Sequence, residues 1–181
     1  MPARNRRVID ILGWPFASRL ASPLWLGVRI YLGSIWLQFG IAKIEGGWLT
    51  GNPMHSMLDA IARGLTPAPF PAYRHVARSL LDVGADRWMS VGIPLAEIAV
   101  ALAFFGGILL VPAAIGASLL NLNLILSGVA SWQFDGRVIA LQVLLLAAWR
   151  VADYVGLARI ASAVRRRFRR RARPAPAPAP S

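Results

Sequence analysis

Apolar residues gather into four long stretches, Pro23 to Ile44, Trp88 to Gly107, Ile108 to Ala130 and Gly136 to Leu157. Each approaches the roughly 20 residues that a helix needs to cross a bilayer. The second and third are nearly continuous, divided by Gly106, Gly107 and Pro112 as a tight hairpin or a turn slightly later. No run of alternating residues indicates a barrel, and helix is the other way to satisfy backbone groups in lipid. The pattern therefore predicts an all-α fold, an integral membrane four-helix bundle occupying residues 23–158.

The segment between the first two stretches, about residues 45–87, is too long for a simple turn. Asn52 can cap a helix with Pro53 at its first position, and Met54, Met57, Leu58, Ile61 and Leu65 then recur at helical spacing, with Gly64 near the stop. After a Pro-rich turn, Tyr73, Val76, Ala77, Leu80 and Leu81 repeat the pattern before Gly84. Two short amphipathic helices follow, suited to the membrane interface or the mouth of the bundle.

Composition agrees with a membrane class, since 56% of the residues are hydrophobic and only 15% charged. A net charge of +12 conflicts with this until it is divided along the chain. Residues 1–22 carry +3, residues 159–181 carry +8, and the body between them only +1. Basic residues confined to two tails do not make a nucleic-acid-binding face. They place both termini in the cytoplasm by the positive-inside rule and the 45–87 segment outside. The Arg165 to Arg173 run also suits anionic lipid head groups, and the Pro/Ala alternation after it an extended tail. The 22-residue polar lead and the absence of a cleavage site argue against a signal peptide.

With no Cys and only His55 and His75, the chain offers no disulfide, iron–sulfur cluster or thiolate zinc site, and no histidine pair inside a span for haem. The two histidines read as solvent-facing rather than as metal ligands. Ionisable groups inside the spans are costly, so function is sought there. At about 1.5 Å per residue, Arg29 lies about 9 Å from the cytoplasmic end of its span, Arg150 about 10 Å and Asp153 about 6 Å. This layer reads either as a buried ion-pair clamp, Arg29 with Asp153 and Arg150 with Asp153, or as a polar cavity. Deeper, Glu97 at about 16 Å faces Asn121 at about 18 Å and Gln38 and Gln142 at about 22 Å. A carboxyl there stays neutral, crosslinking helices, or finds a cation and handles protons. In the first span Arg29, Trp36 and Lys43 recur at seven residues beside Gly33 and Gly40, a charged and aromatic stripe next to a close-packing groove. Trp48, Trp88 and Trp132 fall at the outer boundary, as interfacial tryptophans do.

The run from Arg29 through Gly33, Trp36 and Gly40 to Lys43, then Gly47-Trp48, resembles the opening of the DoxX family of small bacterial and archaeal membrane proteins. Glu97 with Gly106, Leu119 to Gly128 around Asn121 and Asn123, and Ala148 to Leu157 around Arg150 and Asp153 extend the resemblance over residues 23–160. It implies four membrane helices in a prokaryotic cell (inner) membrane. The long external segment is similar to the branch containing the small membrane subunit of thiosulfate:quinone oxidoreductase. The expectation is a membrane subunit of a quinone-linked redox system that works with a partner redox subunit. Glu97 would handle protons, Gln38, Asn121 and Gln142 would bind quinone carbonyls, and Arg29 and Lys43 would give electrostatic support. The alternative is a non-enzymatic membrane adaptor or assembly subunit.

Overall fold

The computed structural model describes residues 14–67 and 70–152, and among them every regular element is a helix. A 3₁₀ turn, Arg19–Ala21, leads into α1 (Ser22–Glu45), followed by α2 (Pro53–Ala62), α3 (Ala72–Asp82), α4 (Ala85–Gly106), α5 (Leu110–Leu126), α6 (Trp132–Ala147) and the short α7 (Trp149–Ala152). Two helices, α1 with its preceding turn and α4, are long and apolar enough to cross a membrane. The expected third stretch is shorter than its apolar run. The 17 residues of α5 span about 25 Å, just under the roughly 30 Å hydrocarbon core. The fourth starts earlier than expected, at Trp132, and Ala148 separates α6 from α7. Residues 153–157 of that stretch lie outside the described residues, as do the Arg165 to Arg173 run and the Pro/Ala tail.

Local signals account for the boundaries. Pro23 occupies the first turn of α1, where a missing N–H removes no helical bond. Gly84 (φ 66°) precedes α4 and Gly107 (φ 63°) ends it, both in the left-handed region that glycine enters freely. The α4–α5 turn then needs a second left-handed residue, Leu109 (φ 52°), so the tight hairpin forms at some backbone strain. Ser131 caps α6 by accepting from the Phe134 N–H at 3.2 Å. At α2 the expected cap is replaced. Asn52 holds the cap position but turns its amide away, and Ser90 Oγ from α4 instead accepts from the Met54 N–H at 3.2 Å.

α1 packs chiefly on α4, α4 on α5, α5 on α6, and α6 back on α1, which closes a ring. Trp25, Leu32, Trp36, Phe104 and Leu145 form its core. α2 and α3 pair as a hairpin against one end of α4, around a second core of Met54, Leu58, Ile61, Ala62 and Ala77. Large apolar side chains remain exposed along the outward faces, among them Ile30, Leu95, Leu102, Ile115, Leu119 and Val143.

The α1–α4 crossing explains Gly33 and Gly40. A Cβ at Gly33 would lie 2.7 Å from the Phe105 ring, and one at Gly40 2.7 Å from Ile98 Cγ1 and 3.0 Å from the Pro94 carbonyl. The second obstacle is backbone and cannot swing aside. Gly40→Ala should therefore destabilise the protein by about 1–3 kcal/mol through overpacking. Exposed Gly27, whose Cβ meets nothing within 4 Å, should gain about 0.5–1 kcal/mol as Ala. Thermal unfolding of the two variants in detergent should shift in opposite directions.

Candidate functional site

The stripe Arg29, Trp36 and Lys43 faces into the packing. Near the end of α1, Lys43 Nζ lies 2.7 Å and 2.9 Å from the two carboxylate oxygens of Glu97 on α4, so the buried acid has found its cation. Glu97 is almost completely enclosed while Lys43 keeps partial access. The ammonium also sits 5.5 Å from the Phe39 ring centroid and 5.6 Å from that of Trp48, close enough for cation–π attraction. Trp48 is thus a wall for Lys43. Trp88 and Trp132 are mostly exposed at the same end of the molecule.

At the other end Arg29 is fully buried. Its Nε donates to the Phe104 carbonyl at 2.8 Å, Nη2 to Phe105 at 3.0 Å and Nη1 to Ala152 at 3.0 Å. The Phe104 and Phe105 carbonyls lie in the last turn of α4, where backbone acceptors lack intrahelical partners and cations are favoured. A Cβ at Gly107 would collide with the guanidinium, a second reason for glycine there. Arg29 is therefore a structural clamp. Asp153, its expected partner, lies outside the described residues. Arg150 does not share the buried layer: it is exposed, with its guanidinium 5.4 Å from the Trp149 ring centroid.

The amide ring expected around Glu97 is not formed. Gln38 is exposed, because at about 100° per residue it lies about 200° around α1 from both Trp36 and Gly40. Gln142 is buried and accepts from Ser118 Oγ at 2.8 Å, leaving its Nε2 without a partner. Asn121 is buried with both amide atoms unpartnered, and so is the Trp36 indole N–H. All three belong to the interior of the four-helix ring, and none lines the cavity beside Glu97.

That cavity, of about 40 Å³, lies between the α2–α3 hairpin and the ends of α1, α4 and α5. Lys43 and Glu97 form its polar floor. Met54, Met57 and Met89, three of the four methionines, contribute its walls, and Tyr73, Asn123 and Ser127 add polar atoms. Burial pushes the Tyr73 phenol above its ordinary value near 10, so it remains a donor at neutral pH. Tyr73, Met54 and Met57 carried a sequence signal as apolar positions of amphipathic helices, whereas Met89 falls within the second apolar stretch. Asn123, by contrast, looked like one amide within an apolar run.

A second polar group joins α2 to the first turn of α4. Asp86 Oδ2 accepts from Asn52 Nδ2 at 2.5 Å and lies 2.9 Å from His55 Nδ1, while Ser90 Oγ donates to Asn52 Oδ1 at 2.8 Å. His55 is largely solvent-facing yet tethered, and His75 is exposed. Among the described residues no three metal-ligating side chains converge.

No protein-family model, curated protein or solved structure matches the chain. The functional reading therefore rests on this geometry.

The Lys43–Glu97 pair carries its own test. Removing one partner strands the other charge in a poorly solvated place, at about 3–5 kcal/mol for a buried pair, whereas removing both does not. Lys43→Met and Glu97→Gln should each destabilise strongly, and the double variant by clearly less than their sum. Denaturation midpoints of the four proteins in one detergent supply the cycle.

Proposed function

We propose that the chain is a four-span protein of the prokaryotic inner membrane, resembling the DoxX family, with both termini cytoplasmic, and that it is the quinone-binding membrane subunit of a redox system. The observation that carries this reading is an ion pair, Lys43–Glu97, facing a methionine-lined cavity. Supporting it are outward helix faces that remain apolar though exposed, as lipid contact requires. Basic tails on a nearly neutral body support the orientation. α5 and the α6–α7 pair serve as the third and fourth spans.

A quinone requires an apolar site with a few polar groups for its carbonyls and a route for protons when it is reduced. Lys43 supplies a charged donor, the Tyr73 hydroxyl a neutral one, and Glu97 a group that can pass a proton once Lys43 turns to the ligand. Asn123 and Tyr73 take over the carbonyl-binding role first expected of Gln38, Asn121 and Gln142. A cavity of about 40 Å³ holds a few water molecules, while sites for drug-sized ligands begin near roughly 300 Å³. The ring therefore enters by displacing the methionine side chains, which are unbranched and adapt readily. Electrons come from a partner redox subunit or an external reductant.

A short-chain quinone should quench the protein's tryptophan fluorescence saturably in liposomes. Stiffening the wall with Met57→Ile should weaken that binding several-fold. Normalised to folded protein, because the variant is also destabilised, Glu97→Gln should lower quinone reduction by the protein with its native partner by at least about tenfold, as loss of a proton-transfer group does. Absence of saturable quenching, together with unchanged quinone reduction in Glu97→Gln, would favour a non-enzymatic membrane adaptor.

A further inference from the structure

We infer that the cavity receives its ligand sideways from the bilayer, through a portal between α3 and α5 with Asn123 at its lip, and so selects an amphiphile with a polar head and an apolar tail. The inference rests on the membrane-spanning part of the preceding reading, but not on the ligand being a quinone.

The cavity has walls from both the hairpin and α5, yet these elements barely touch. The hairpin packs on α4 and α4 packs on α5, while the direct approach of α2 or α3 to α5 is slight. One polar tie crosses the gap, from Thr66 Oγ1 to the Ser127 carbonyl at 3.1 Å, at the last turn of α5. Below that tie Tyr73 and Leu80 of α3 face Leu120 and Asn123 of α5 across the cavity without close helix packing. The seam therefore opens laterally, beside the outward faces of the helices.

Asn123 identifies the chemistry admitted. Its neighbours on the outward side of α5, Ile115, Leu119 and Leu122, are exposed and apolar, as a lipid-facing helix requires. Asn123 is exposed in the same run, lines the cavity, and among the described residues has no side-chain hydrogen bond. Asn123 lies three residues, about 4.5 Å, before the end of α5, near the level where head groups meet hydrocarbon, so its free amide is placed to meet a polar group arriving from the bilayer. The polar head of an amphiphile is such a group, passing from Asn123 toward Tyr73 and Lys43. Its tail remains between Leu80 and Leu120, in contact with lipid. A small water-soluble ligand would gain nothing from this arrangement.

The chain contains no cysteine, so Tyr73→Cys provides a single thiol inside the cavity. In liposomes, a dodecyl maleimide dissolved in the bilayer should label it at least about tenfold faster than a membrane-impermeant sulfonated maleimide. Adding Asn123→Trp should plug the seam and slow the dodecyl reagent by about tenfold. Equal or faster labelling by the sulfonated reagent, no labelling by the dodecyl reagent, or indifference to Asn123→Trp overturns the portal. The rate ratio in Tyr73→Cys alone decides the route even if Asn123→Trp does not fold. Failure of quinone to quench the tryptophan fluorescence while lateral labelling persists counts against the quinone alone.

Discussion

Gly33 and Gly40 let the backbones of α1 and α4 approach so closely that Arg29 and Lys43, fourteen residues apart on one helix, each reach fixed partners on the other. Lys43 meets Glu97 at one end of the crossing and Arg29 meets the Phe104 and Phe105 carbonyls at the other. Neither cation could be buried alone, because the loss of hydration would exceed any packing gain. The crossing and its charges are thus mutually dependent: small residues permit the approach, and the approach gives the charges acceptors.

That crossing also creates a division of labour. Arg29 ties the end of α4 to Ala152, bringing three chain segments together through one guanidinium. At the far end the hairpin is held by thioethers, aliphatic contacts and the Asn52–Asp86–Ser90 links. The first arrangement depends on directional bonds, and the second largely on side chains with many rotamers. A ligand site is better placed in the second, where a wall can yield without breaking the fold.

Much of this was legible in the sequence, for identifiable reasons. The Arg29, Trp36 and Lys43 stripe and the Gly33 and Gly40 groove follow from helical periodicity, which also places the two short helices. Depth along a span carries no information about azimuth, so it sets Gln38 beside Glu97 although Gln38 lies on the exposed face of α1. The same one-dimensional estimate grouped Asn121 and Gln142 with Glu97, although they point into the ring interior. The seven-residue stripe singles out Lys43, but its direct pairing with Glu97 depends on how α1 crosses α4. Asn123 and the Ser90 cap on α2 depend on contacts between elements distant in sequence, which a residue pattern does not contain. Trp36, Asn121 and Gln142 leave polar atoms unpartnered in the core, and no contact among the described residues accounts for them.

The sparse burial of α3 has a consequence for how the molecule breathes. Of its 11 residues only Ala77 is fully buried, whereas α1 and α4 contribute long series of enclosed side chains. Local opening free energies follow buried contacts, so amide protons of α3 will exchange with solvent deuterium well before those of the α1–α4 seam. The helix that borders the cavity is thus the first to fluctuate, while the element that positions Lys43 and Glu97 is among the last.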